Sequence, residues 1–210
     1  MIAHRREGMR LWPIIPAYIC RVLDVGCGNG DALGHEDIGG LGVGIDISYE
    51  ALRTASEAFP RCCFSRAAGE AIPFSDGAFD AAISRVALPY MNIPEALAEI
   101  ARILRPGGEV WFVLHHFSVV KSALTRAIQA RQVKGVIYFC YVVVNGITFN
   151  LVGRNFRYPL QRKRCESFQT EGGVIRALAA AGFEQIRIVE ALPLAVTARK
   201  RALSTSGNTP

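Results

Sequence analysis

Short apolar, β-branched runs alternate with amphipathic stretches from Arg21 almost to the end of the chain. Arg21 to Val25, Gly42 to Asp46, the short Cys62 to Arg66, the buried Phe79 to Ser84 and Glu109 to His115 read as strands. Between them Ser48 caps a helix predicted through Ala58. Pro94 opens another, with alternating apolar and charged faces, that Arg105-Pro106-Gly107-Gly108 stops near Leu104. Asp76-Gly77 reads as a turn. A helix from about Thr170 to Ala181 closes on Gly182 in the left-handed region, and Gln185 to Glu190 and Leu194 to Arg199 read as two last strands. Strands alternating with helices predict parallel pairing through crossovers, so the expected fold is one seven-stranded α/β sheet with helices on both faces.

Residues 1–20 lie outside this rhythm. Arg5, Arg6 and Arg10 ahead of Leu11 to Cys20 have the outline of a signal peptide, but Pro13 and Pro16 interrupt the apolar stretch and Ile19 is not a small cleavage-site residue. The expectation is a short extension packed on the sheet. A frayed tail is expected over residues 201–210, polar from Ser204 to Pro210.

At 210 residues the chain fits one domain large enough to bury a core without staples. None of its six cysteines, Cys20, Cys27, Cys62, Cys63, Cys140 and Cys165, forms a CxxC pair. They read as small apolar residues in a reducing, cytoplasmic setting, with Cys62-Cys63 as buried strand residues.

The net charge of +6 is concentrated: Phe117 to Cys165 holds nine Lys/Arg and no Asp or Glu. That segment includes Gly135 to Gly153, nineteen residues without a charge, flanked by Arg131, Lys134, Arg154 and Arg157. Its length would span a bilayer, but the strands that follow must return to the same sheet, so a buried element, a lid or an interfacial segment is expected. Asn145-Gly146 between β-branched and aromatic runs signals a hairpin, whereas lids at this point of such sheets are usually helical. Apolar surface beside Arg154, Arg157, Arg162, Lys163 and Arg164 suits an amphiphile with an acidic head or an anionic membrane surface; a lid packed on the core with a solvated basic rim is the plainer alternative.

Val22-Leu23-Asp24-Val25-Gly26-Cys27-Gly28-Asn29-Gly30 joins a strand to a glycine loop, and Gly44-Ile45-Asp46-Ile47-Ser48 ends a second strand in a carboxylate. In an α/β sheet the ligand lies beyond the carboxyl ends of the strands. Asp46, 20 residues after Gly26, has the spacing of a carboxylate that accepts hydrogen bonds from ribose hydroxyls. Asp31 stands where a nicotinamide fingerprint needs a third glycine or alanine, so the pattern is GxGxG.

With these two motifs, Gly69-Glu70-Ala71-Ile72-Pro73-Phe74-Ser75-Asp76-Gly77-Ala78-Phe79-Asp80, Leu104-Arg105-Pro106-Gly107-Gly108 and Ala181-Gly182-Phe183, the chain resembles the class I S-adenosylmethionine-dependent methyltransferases, in particular the branch acting on quinones, sterols and lipids. The resemblance implies a Rossmann-like, mostly parallel sheet with a terminal antiparallel strand, and a division into a cofactor-binding core over 21–116, a lid insertion over 117–166 and the rest of the core over 167–200. It further implies that Asp24 and the backbone of Gly26, Cys27 and Gly28 hold the methionine part of S-adenosylmethionine, Asp46 the ribose, Ile47 one face of adenine and the Gly69 amide its edge, with Ser84 at the same site. The chain departs from the family at Ala68, where an acidic residue usually meets the adenine amino group; either cofactor affinity is lower or Glu70 reaches that group instead.

Transfer of a methyl group from a sulfonium needs alignment above all, and a base only where the acceptor must lose a proton. Tyr90 and the pair His115-His116, at the ends of the fourth and fifth strands, are the candidates, and since neighbouring strand residues face opposite ways at most one histidine points into the site. Leu88-Pro89-Tyr90 stands in place of the N/D-P-P-Y/F motif of enzymes that methylate base amino groups, which disfavours nucleic acid as a partner despite the charge. The reading is methyl transfer to a small, hydrophobic or lipid-linked acceptor, in the cytoplasm or at the membrane periphery. A non-catalytic cofactor-binding regulatory module and an RNA methyltransferase are the alternatives.

Overall fold

The computed structural model describes residues 1–7, 10–34, 40–161 and 165–202. A hairpin of β1 (Ala3–Glu7) and β2 (Arg10–Ile14) precedes a sheet made of β3 (Arg21–Val25), β4 (Leu41–Asp46), β5 (Cys63–Arg66), β6 (Phe79–Arg85), β7 (Leu104–Leu114), β8 (Phe183–Glu190) and β9 (Leu194–Lys200). The order across it is β5-β4-β3-β6-β7-β9-β8. β3 to β7 pair in parallel, and β9 runs antiparallel to both β7 and β8. The helices are α1 (Asp31–Gly34), α2 (Tyr49–Ala58), α3 (Ile93–Ile103), α4 (Phe117–Gln129), α5 (Val133–Val152) and α6 (Glu171–Ala180). The expected Rossmann-like α/β architecture with one antiparallel strand is therefore present.

The two faces of the sheet bury different partners because successive side chains alternate. Leu23, Ala82 and Phe112 point to α3 and α6, against Leu97, Ile100 and Leu178. Val22, Ile83 and Trp111 point the other way, onto α1 and the N-terminal residues Ile2, Leu11, Trp12 and Ile19. β1 and β2 thus cover the sheet as an antiparallel pair, a form their sequence does not signal.

Some boundaries differ from expectation. β7 starts at Leu104: Phe79 pairs with Leu104 and Ala81 with Glu109, so Arg105-Pro106-Gly107-Gly108 bulges out of a continuous strand. His115 falls just beyond β7, which ends at Leu114. Cys63 is exposed and Cys62 only half-buried, not core residues, because β5 is the sheet's edge strand. Cys20 and Cys140 are exposed too, and only Cys27 and Cys165 fit the apolar reading.

The insertion is helical. α4 and α5 form an antiparallel pair, and the chain then runs back to β7, where the Gln169 amide donates to the His115 carbonyl at 2.8 Å. Asn145 and Gly146 lie mid-helix on the buried face of α5. Arg162, Lys163, Arg164 and the tail from Ser204 lie outside the described residues.

Candidate functional site

Strand order reverses at β3, with β4 on one side and β6 on the other, and the crevice beyond its carboxyl end is where such sheets bind ligands. Gly26, Gly28 and Gly30 all take positive φ there (+73°, +53° and +82°). They do so for different reasons. A β-carbon on Gly26 would stand 2.1 Å from that of Ala87, so this glycine lets the loop press on the turn after β6, whereas one on Gly28 would meet nothing within 4 Å. Gly28 borders open space.

The first amides of the loop are spent on β4. Gly26 and Cys27 both donate to the Ile45 carbonyl, at 2.8 and 3.0 Å, and Gly28 donates to Asp46 Oδ2 at 2.9 Å. The Gly26, Cys27 and Gly28 amides are therefore already engaged, while their carbonyl oxygens and α-carbons border the cavities. Asp46 Oδ1 accepts from the Ser48 amide at 2.9 Å; with one bond at each oxygen, its carboxylate keeps acceptor capacity.

Two cavities adjoin at Gly26. The larger, about 740 Å³, is walled by Asp46, Ile47, Gly69, Tyr90, Met91 and Arg157 among others. The smaller, about 160 Å³, is walled by Asp24, Gly26, Cys27, Gly28, Asp31 and Arg85 among others. Ile47 is 68% exposed at the rim.

Asp24 is the anomaly. It is only 1% exposed, its Oδ1 has no hydrogen-bond partner, and burial, opposed by Arg85 and reinforced by Asp46 and Asp31, pushes its carboxyl up to about 7. Arg85 lies over the Trp12 ring at 4.3 Å and 3.7 Å from Asp31 Oδ2, so the N-terminal hairpin helps hold that guanidinium. Burial, with Asp24 and Asp46 beside it, also pushes the Cys27 thiol up and keeps it un-ionised.

Two expected site residues have other employment. Ser84 is fully buried, and its hydroxyl donates to the Val25 carbonyl at 2.8 Å, tying β6 to β3 below the cavity. His116 is the N-cap of α4: its Nδ1 accepts from the Ser118 amide at 3.2 Å. Glu70 is also committed, since its Oε1 accepts from the Asn92 amide at 2.9 Å at the start of α3.

His115 is buried and packs edge-on against Tyr90, ring centroids 5.1 Å apart. Its Nδ1 lies 3.9 Å from Glu166 Oε1, and burial lowers its affinity for a proton. Burial, and then Glu166, raises the Tyr90 hydroxyl in turn. Nothing in the sequence signals Met91 and Glu95 in the cavity wall, or Glu166 beside His115. Each reaches its place through tertiary packing of elements far apart in the chain.

Residues 23–112 match the family described as a methyltransferase domain. The chain is 37% identical over 99 residues to a malonyl-[acyl-carrier protein] O-methyltransferase of Erwinia pyrifoliae, covering 46% of this chain and 38% of that protein. It is 34% identical over 131 residues to the like-named protein of Pectobacterium atrosepticum, covering 61% and 50%. The chain thus spans half or less of the length of these curated relatives. Its fold is that of an S-adenosylmethionine-dependent methyltransferase from Mesorhizobium loti, with a TM-score of 0.56 and 21% identity over 89% of this chain and 94% of that one. Motif order, sheet topology and these similarities agree: residues 23–112 match a methyltransferase domain, and the fold is that of the class I S-adenosylmethionine-dependent methyltransferases.

Proposed function

We propose that the protein transfers a methyl group from S-adenosylmethionine to a small, apolar or lipid-linked acceptor. The observation that carries this reading is the meeting of Asp24, Gly28 and Asp46 around two adjoining cavities at the switch point of the sheet. The donor set fits the cofactor. The unpartnered Asp24 Oδ1 and the loop's carbonyl oxygens are acceptors for an ammonium, Asp46 has acceptor capacity left for ribose hydroxyls, and Ile47 with Met91 offers apolar surface to a purine. In this assignment Gly28 leaves room for close approach and the Gly69 amide serves the adenine edge. Ser84 acts only through the strand it ties.

When bound, S-adenosylmethionine supplies a methyl group on a positively charged sulfur, and that charge is lost as the methyl moves. The chain's part is to align the acceptor and exclude water. Arg157, from the insertion, and Tyr90 stand in the wall of the larger cavity, where they favour an acceptor with an acidic head and an apolar body. The relatives named for malonyl-[acyl-carrier protein] support an acyl acceptor of that kind. Its carboxylate is ionised at neutral pH and needs no base. In this reading His115 is a wall and a positioning residue for Tyr90.

Calorimetric titration with S-adenosylmethionine tests the first half. Micromolar binding is expected for the wild type, weakened at least about tenfold in Asp46→Ala, the loss of one or two hydrogen bonds to a charged group. Equal binding by both proteins, or by neither, rules the assignment out. Transfer of isotope-labelled methyl groups into fractionated cell extract, with the product identified by mass, tests the acceptor class.

A further inference from the structure

α5 buries one face and leaves the opposite one bare. Tyr141, Val142, Phe149 and the two asparagines turn into the protein; Asn145 donates to the Glu166 carbonyl at 2.8 Å and Asn150 to that of Phe168 at 3.2 Å. On the other side Val133, Ile137, Cys140, Val144, Ile147 and Leu151 recur at alternating steps of four and three, and every one is exposed. Helical geometry holds them within an arc of about 80° along a line about 27 Å long. A helix of the core is covered all round, but only 28% of the apolar window of α5 is buried.

The charges around this seam select its occupant. Lys121, Arg126, Arg131, Lys134, Arg154 and Arg157 are all exposed, and residues 117–165 contain no acid. The spacing also suits a helix of a second copy. That copy would bring the same cations and, from its own insertion, no carboxylate to answer them. Anionic headgroups answer every one, each cation near such a surface adding to the attraction. A crossing of the bilayer is excluded by the buried asparagines and by the return of the chain from α5 to β7.

We propose that the exposed seam of α5 is the docking surface for an anionic lipid bilayer, with the helix lying in the headgroup plane and Lys134 and Arg154 beside the lipid phosphates at its two ends. Arg157 of the same segment lines the larger cavity, so docking sets the acceptor's entrance against the membrane. Docking needs nothing of the cofactor cavity, and vesicle binding and cofactor titration therefore fail independently.

The test is co-sedimentation of the full chain with vesicles of phosphatidylcholine alone and with about one third phosphatidylglycerol. Binding is expected on the anionic vesicles, falling about tenfold or more between about 50 and 500 mM salt. Ile137→Ser with Ile147→Ser, both at exposed positions, is expected to lower it at least about tenfold while cofactor binding stays unchanged. Lys134→Glu with Arg154→Glu is a second variant that leaves the apolar packing untouched and is expected to do the same. Equal sedimentation with both vesicle types, indifference to both variants, or a dimer in sedimentation velocity that the seam replacements abolish would each overturn the proposal.

Discussion

Replacing Asp24 by asparagine should make the protein more stable at pH 8 and less able to bind S-adenosylmethionine. The unfolded chain ionises this side chain near its ordinary value of 3.8, the folded chain only near 7. Between those values the native state holds a proton that the unfolded state has lost, so stability falls as pH rises through the window and levels off above about 7. Three pH units at about 1.4 kcal/mol each put the full cost near 4 kcal/mol at pH 8, of which roughly 3 kcal/mol accrues between pH 5 and pH 8. The amide of the variant carries no charge and escapes that cost. Urea unfolding at the two pH values, compared between wild type and variant, isolates it, because any packing change due to the amide is common to both. A gain in the variant that is no larger at pH 8 than at pH 5 would refute the reasoning. Binding supplies an independent check: an ammonium set against Asp24 draws its proton off, so at pH 6.5 titration should release up to roughly three quarters of a proton per wild-type chain and none per Asp24→Asn chain, as read from the dependence of the heat on buffer ionisation.

Gly26→Ala and Gly28→Ala should fail in different ways. The first drives a β-carbon to 2.1 Å from Ala87 and is expected to cost at least about 2 kcal/mol in urea unfolding, whereas the second meets open space, costs about 1 kcal/mol for its left-handed backbone and weakens cofactor binding about tenfold. Equal loss of stability with unchanged binding would deny the loop its role. His115→Gln should keep kcat within about threefold and leave the shape of the kcat–pH profile intact, since the imidazole packs against Tyr90 and an ionised carboxylate acceptor needs no base. A loss of about a hundredfold together with loss of the acid limb would make His115 the base.

The core was legible because its signals are local and obligatory. Strand runs, the Ser48 cap and the left-handed Gly182 are each fixed by a few neighbouring residues, and the 20-residue interval from Gly26 to Asp46 spans one crossover unit whose geometry hardly varies. Side-chain roles were less legible. Sequence places Ser84 and His116 at strand ends, but whether a hydroxyl meets a ligand or the Val25 carbonyl depends on the register of β6 against β3, and whether an imidazole faces a cavity or caps α4 depends on where the next helix begins. The pairing of Arg85 with Trp12 has no sequence signal at all, because it joins a hairpin to a strand end more than seventy positions away.

The insertion shows how tertiary packing decides between two local readings. Asn145-Gly146 is a strong turn signal in isolation, yet both residues lie inside a 20-residue helix. Gly146 is there because the Phe168 ring occupies the place of its missing side chain, 2.2 Å from where a β-carbon would stand. Asn145 is there because, fully buried, it pairs with the Glu166 carbonyl, the Tyr141 hydroxyl and the Phe156 amide. The same two residues that would turn a hairpin instead bind α5 to Phe156, Glu166 and Phe168 beyond its end. That attachment fixes the rotation of the helix about its axis. With Asn145 turned inward, Val144 and Ile147 must face outward, and so the apolar seam follows from the pair of residues that signals a turn.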